Sequence, residues 1–213
     1  EITLAPGGIS QTTAADGGYS FVVSPGNYTL SVTFFNYPPN IVPTLPAMYT
    51  VGTDSPITLA ESTVMDIPLP LKRVTVHVQD PGGNPVKDVL LASTYSFNEN
   101  LMLGTVPARG YSYENPAIHV VSTDSNGDAV LWLFPNDPSA PYTLTATPPA
   151  NSSWASTSLS VTVGDTNNTV DITLPVPVTL SGHVLDGGGA GVPYQEITLA
   201  PGGISQTTAA DGG

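Results

Sequence analysis

The stretch EITLAPGGISQTTAADGG occupies residues 1–18 and returns, identical at every position, as residues 196–213. A match of 18 residues at an offset of 195 (position 1 to position 196) is not coincidence. Self-similarity at a fixed period is the mark of a repeat architecture. The chain therefore reads as one period plus an overlap into the next. Two arrangements give that pattern: a longer tandem array, or a single subunit carrying the same segment at both ends. Glu1-Ile2-Thr3-Leu4-Ala5 already has the character of a strand interior and Gly213 that of a turn, which favours the array.

Composition narrows the fold and the partners. The chain has 213 residues, no cysteine, 21 Gly, 22 Pro and only four Lys plus Arg. Abundant Thr, Ser and Val between turn residues predicts an all-β fold. Without cysteine there is neither a disulfide framework nor a thiolate metal site. The net charge of −13 argues against nucleic acid and anionic membrane surfaces as partners, because both need basic patches. No apolar run is long enough to span a bilayer, so no direct membrane insertion is expected of this segment. Low Lys, high Thr, Ser, Gly and Pro and no Cys resemble the usage of extracellular surface proteins.

Period-two alternation then places strands. Tyr28, Leu30, Val32 and Phe34 share one face of a strand over 27–34, and Tyr19–Val23 reads as another. Residues 35–56 are Pro-rich and read as a long connection with one short strand near Met48–Val51, and Ile57–Ala60 and Val64–Leu69 close a first module. A second opens with Val74–Val78, turns at Asp80-Pro81-Gly82-Gly83-Asn84-Pro85 and continues at Val86–Tyr95. Residues 96–116, with Asn98-Glu99-Asn100 and Pro107, read as an irregular insertion. Ile118–Thr123 and Ala129–Phe134 read as a hairpin, and Tyr142–Thr147, Leu159–Val163 and Val170–Leu174 as the remaining strands.

The two modules are diverged copies of each other. His183-Val184-Leu185-Asp186 through Val192 repeats the pattern of His77-Val78-Gln79-Asp80 through Val86. Thr13-x-x-Asp16-Gly17 parallels Thr123-x-x-Asn126-Gly127, and Tyr28-Thr29-Leu30 parallels Tyr142-Thr143-Leu144. Asp66-Ile67-Pro68-Leu69 parallels Asp171-Ile172-Thr173-Leu174. The expected organisation is a module at 1–70 lacking its own first strand, a module at 71–176, and at 177–213 the opening strands of the next copy of the first. A sandwich short of one strand leaves an open hydrogen-bonding edge. In an array the preceding repeat fills it; between separate chains a neighbour must.

The succession D-x-x-G-x-x-V, T-x-x-D-G-x-Y-x-F and P-G-x-Y-T-L-x-V is carried by Asp186–Val192, Thr13–Phe21 and Pro25–Val32, and more loosely by Asp80–Val86 and Tyr142–Thr147. It resembles the carboxypeptidase-regulatory-like family of prealbumin-type sandwiches. The resemblance implies tandem seven-stranded Greek-key, Ig-like modules that serve as spacers, stalks or adhesive repeats on cell surfaces. A sister family, the B-type repeats of collagen adhesins, forms an internal Lys–Asn isopeptide bond with an acid in the pattern Y-T-L-x-E. Here Val32 and Ala146 hold the acid position, so that chemistry is not expected, although Lys72 stands where a lysine is wanted in the second module.

Few residues qualify as sites. Asp124, Asn126 and Asp128 alternate as oxygen donors and nominate a calcium loop, with no other cofactor expected; the same residues also suit a plain Asx turn. His77, His119 and His183 suggest structural roles, since His77 and His183 fall at equivalent positions. Sequons at Asn27, Asn151 and Asn167 nominate glycosylation sites. No nucleophile elbow, zinc-binding helix signature or phosphate loop is present, so catalysis is not expected.

The expectation is a structural extracellular repeat protein building a stalk, fibre or filament, with copies of itself as partners. One alternative is an adhesin for glycans or surface proteins, with Phe34–Pro39 and Tyr111–Tyr113 as its exposed aromatic insertions. Another is a non-covalent polymer of strand-sharing subunits, whose mark would be an open groove filled by residues 178–213 of the next chain. The duplicated 18 residues count against that polymer, because donor and acceptor would compete for one site.

Overall fold

The computed structural model describes residues 1–166, 168–200 and 204–213. It divides into two compact units, Glu1–Val176 and Pro177–Gly213. Fifteen strands and no helix are found among the described residues, and the chain has the all-β sandwich class expected of it.

The first unit holds thirteen strands: β1 (Ile2–Ala5), β2 (Ile9–Gln11), β3 (Gly26–Phe35), β4 (Met48–Thr53), β5 (Ile57–Leu59), β6 (Lys72–Gln79), β7 (Leu90–Ser93), β8 (Ser96–Leu103), β9 (Val106–Tyr113), β10 (Asp128–Leu133), β11 (Tyr142–Thr147), β12 (Thr157–Val161) and β13 (Asn168–Thr173). Two three-stranded sheets face each other: β10-β6-β13, with β13 parallel to β6, and β12-β11-β7. Their inward residues make one core, in which Val74, Val76, Val78, Leu91 and Ala146 are fully buried. Alternation puts every second side chain of β6 into that core, where removal of apolar surface from water stabilises the sandwich.

A larger sheet, in the order β2-β1-β3-β4-β9-β8 with β5 on the start of β3, supports a second core. Ile2, Leu4, Leu30, Tyr49, Val51, Leu103 and Phe134 are buried there. β9 pairs with β4 over Met48–Thr53, so this sheet takes strands from both sides of Leu71. The cores adjoin at Tyr142, whose hydroxyl donates to Phe134 O (3.1 Å) and lies 2.9 Å from Ser112 Oγ. Burial pushes the Tyr142 phenol up to about 12.

The structure corrects several local expectations. Residues 96–113 are not an irregular insertion but the β8–β9 hairpin. A register shift between Asn98 and Leu101 breaks its alternation, and it was the polar residues of that bulge that read as a turn. β10 pairs with β6 rather than with 118–123, because the Leu90↔Ser122 bridge draws the latter toward β7. Tyr19–Val23 and Val64–Leu69 join no strand, although their patterns are strand-like.

The second unit consists of the hairpin β14 (Glu196–Leu199) and β15 (Ile204–Thr207) and the segments before and after it. Leu185 and Gly191 form an isolated bridge, and residues 177–184 are in no strand.

Candidate functional site

The large sheet of the first unit is covered incompletely. On its core face lie the segments 19–23 and 63–69, and between them and the sheet is a groove of about 660 Å³. Ile2, Leu4, Tyr19, Phe21, Ile67 and Leu69 line it. Tyr19 and Phe21 turn their rings toward each other at a centroid distance of 6.0 Å, and the Tyr19 hydroxyl donates to Met65 O from one wall to the other. Burial, and then the charge of Asp66, pushes the Tyr19 phenol up.

The proposed calcium residues lie together in the turn before β10. Asp124 Oδ1 accepts from Asn126 N (2.8 Å) and Asp128 N (3.0 Å), and Asp128 Oδ1 lies 2.7 Å from His77 Nδ1. The N–H bond from Asp128, then that from Asn126, holds the Asp124 carboxyl below the ordinary carboxylate range. Asp80 and Asp186 make the same turn: each Oδ1 accepts two backbone N–H groups at 2.8–2.9 Å. No group of three His, Cys, Asp or Glu suited to a metal is found among the described residues.

Of the sequon asparagines, Asn27 accepts from Thr58 Oγ1 (2.8 Å) across the β3–β5 pair. Asn151 stands exposed in a turn at φ +69°. Asn167 lies outside the described residues.

Sequence reasoning missed one buried ionisable pair. Glu114 is 1% exposed and accepts from Ala47 N at 3.2 Å through Oε2, while its Oε1 lies 3.1 Å from His119 Nδ1. Burial pushes the Glu114 carboxyl up to about 8 and pushes the His119 imidazole down. A Glu ahead of Asn115-Pro116 reads as a surface turn residue, so no signal in the sequence pointed to it.

Of the two aromatic stretches expected to be exposed, only the first is open to solvent, because Tyr111–Tyr113 are paired strand residues of β9 with half-buried rings. Phe35 and Tyr37, 47% and 51% exposed, stack at 5.8 Å, while Asn36 between them is fully buried and binds Val42 and Leu45 of its own loop. Tyr95, 70% exposed, meets Tyr111 edge-on at 6.0 Å.

No protein-family model matches the chain, and no curated protein is significantly similar to it. Several solved structures align with it at low identity. The shaft pilin SpaA of Lactobacillus rhamnosus GG aligns over 63% of this chain and 65% of its own length, with 13% identity and a TM-score of 0.33. A streptococcal ancillary pilin aligns over 88% of this chain and 61% of its own length, with 16% identity and a TM-score of 0.32. The Bacillus anthracis TIE protein aligns over 99% of this chain and 42% of its own length, with 13% identity and a TM-score of 0.31. The chain thus spans less than two thirds of each, and scores this low carry no argument about what it does. No helix among the described residues is long and apolar enough to cross a membrane.

Proposed function

We propose that this chain belongs to a structural, extracellular repeat protein whose β-sandwich modules build a stalk, fibre or filament at a cell surface. The observation that carries the reading is the recurrence of one module within the chain. Residues 1–18 and 196–213 are identical, and 1–70 repeats the motifs of 71–176. On this reading a period holds two modules, and 177–213 opens the next one. The resemblance to carboxypeptidase-regulatory-like sandwiches belongs to the same proposal.

Mechanics supplies the rest. Pro68-Leu69-Pro70 and Pro175-Val176-Pro177 flank the modules. Proline fixes φ and holds its neighbours extended, so such junctions act as stiff spacers. A net charge of −13 with few lysines keeps neighbouring rods soluble and apart. The partners are copies of the chain itself.

The test is the denatured mass of the native polypeptide, with peptide mapping. A peptide running through Ala210-Asp211-Gly212-Gly213 into Tyr-Ser-Phe, from a chain far heavier than 21.9 kDa, supports the array. A native chain of 21.9 kDa ending at Gly213 sinks it.

The exposed Phe35–Tyr37 stack and the Tyr95–Tyr111 pair favour a second reading, an adhesive surface for glycans. A glycan array probed with the chain and with its Tyr37→Ala/Tyr95→Ala variant decides it. No glycan retained by the unaltered chain ends that reading.

A further inference from the structure

The sheet β10-β6-β13 shows what the groove lacks. There β6 is the middle strand, antiparallel to β10 and parallel to β13, with Val74, Val76 and Val78 fully buried. The motif equivalences make Tyr19–Val23 the counterpart of β10, and Thr63–Leu69 the counterpart of β13. Both line the groove, and neither pairs with a strand among the described residues. The counterpart of β6 is Val178–Leu185, in the second unit. There it is exposed, Val178 at 95% and Leu180 at 77%.

The hydrogen bonds of the second unit establish that equivalence independently of the sequence pattern. Val78 N donates to Gly127 O (2.8 Å) and Val86 N to Val78 O (2.9 Å); Val184 N donates to Gly212 O (2.9 Å) and Val192 N to Val184 O (2.7 Å). Thr123 Oγ1 donates to Val86 O (2.7 Å) and accepts from Val89 N (2.9 Å). Thr208 Oγ1 likewise donates to Val192 O (3.0 Å) and accepts from Gln195 N (2.9 Å). Asp88 and Tyr194, the residues before these amides, both hold φ near +60°. The clasp is one device made twice.

In the first unit the same device stands open. Thr13 and Gly17 are the identical counterparts of Thr208 and Gly212. Thr208 is 5% exposed, whereas Thr13 lies exposed at the mouth of the groove. A Cβ at Gly212 would meet Val192 N at 2.6 Å and Val184 O at 2.8 Å, while one at Gly17 would meet nothing within 4 Å. What closes the clasp at 208–212 is residues 184–195, and at 13–17 nothing takes their place among the described residues.

We infer that the groove is the seat of Val178–Leu185 of a second copy of this sequence, held as the middle strand between Tyr19–Val23 and Thr63–Leu69, with residues 186–195 of that copy closing on Thr13 and Gly17. The inference deepens the repeat reading and rests on it for the source of the strand, the copy immediately ahead of Glu1. The β6 register transfers directly and sets side chain against side chain. Leu180 falls between Phe21 and Thr63, and Val184 beside Ile67. Gly182 falls between Tyr19 and Met65. At that level the complete sheet has Val76 between Ala129 and Val170. The bulk has moved from the middle strand to its flanks, so a glycine is what leaves room for Tyr19 and Met65.

The experiment mixes the full chain with a synthetic peptide of residues 177–195 and follows amide hydrogen exchange by mass spectrometry. Saturable one-to-one binding is expected, with slowed exchange at 13–23 and 63–69 and none gained in β6 or β10. A Leu180→Asp peptide should lose the protection. Thr13→Val in the chain should weaken peptide binding about tenfold, since it removes two hydrogen bonds, and unchanged exchange in β6 and β10 shows that the variant is folded. No protection at about 1 mM peptide, or protection elsewhere than at 13–23 and 63–69, overturns the inference. The two readings fail separately. A native chain of 21.9 kDa with peptide protection removes the array and leaves the seat, and a far heavier chain without protection does the reverse.

Discussion

Replacing Glu114 by glutamine should flatten the dependence of stability on pH between the ordinary carboxyl range and about 8. The side chain is 1% exposed, and burial pushes its carboxyl from 4.5 to about 8, against the smaller opposing effect of the Ala47 N–H bond. A folded carboxyl that holds its proton more tightly than the unfolded one gives the folded chain the larger number of bound protons in that window. Stability is then fully present below 4.5 and is lost as pH rises to about 8. One proton sets a slope of at most about 1.4 kcal/mol per pH unit, and the whole window is worth about 5 kcal/mol.

His119 acts with the opposite sign. Burial holds its imidazole below 6.5, so its contribution is present above that value and is lost as pH falls. From about pH 7 to 8 the loss on raising pH therefore belongs to Glu114. Glutamine keeps an acceptor for Ala47 N and offers His119 Nδ1 a donor, without a charge to bury. Urea unfolding of both proteins at intervals from about pH 5 to 9 should show the unaltered chain falling away from the variant above neutrality. Parallel curves between about pH 7 and 8, or a variant less stable than the parent at pH 8, would refute the reasoning.

Three further outcomes are expected. Gly110→Ala puts a Cβ 2.2 Å from Thr50 O and 2.8 Å from Val51 Cα, backbone atoms that cannot give way. Exchange should accelerate across 48–53 and 106–113 while β6 and β10 keep their protection; unchanged exchange in β4 would show that β9 does not pair there. Leu144→Ala, at a site 2% exposed in the sandwich core, should cost about 2–5 kcal/mol in urea unfolding, and a loss below about 1 kcal/mol would mean that the core is not packed there as described. Asp80, Asp124 and Asp186 are each held low chiefly by backbone N–H bonds, so their contribution is present above 3.8 and is lost as pH falls below it. Thermal scans from pH 5 to pH 2 should therefore fall less steeply for the triple Asp→Asn variant, and equal slopes would count against the turns.

The parts of the fold legible in the sequence are those where a single strand's own alternation decides its fate. β3 and β11 could be read from Tyr28-Thr29-Leu30 and Tyr142-Thr143-Leu144 because each buries one face against a core. The hairpin at 96–113 could not, because its bulge shifts the alternation by the very residues, Asn98 to Asn100, that ordinarily mark a turn. Glu114 was equally hidden, since what buries it is Ala47, Ser93 and His119 arriving from three distant places in the chain. The threonine clasp was not legible either: the pattern Thr-x-x-Asp-Gly foretells the turn but not the partners of the threonine hydroxyl.

Tyr19–Val23 and Val64–Leu69 carry the alternation of strands without being strands, and this separates two things usually read as one. Alternation records which side chains a segment buries; pairing requires a neighbour with free N–H and C=O groups. Tyr19, Phe21 and Ile67 do pack against the core of the large sheet, so the first condition is met. Their backbones form no ladder, so the second is not. The same eighteen residues meet the test in reverse. Thr208 is buried and Thr13 is exposed although they stand in identical stretches, and what closes on the Thr208 hydroxyl is Val192 O and Gln195 N. Local sequence sets the turn, and the partners that reach the threonine hydroxyl decide whether it is buried. On the repeat reading the complete module is the set 177–195, 1–18 and 19–70, and its first piece is the one with exposed apolar side chains at Val178 and Leu180 and no strand to join within its own unit.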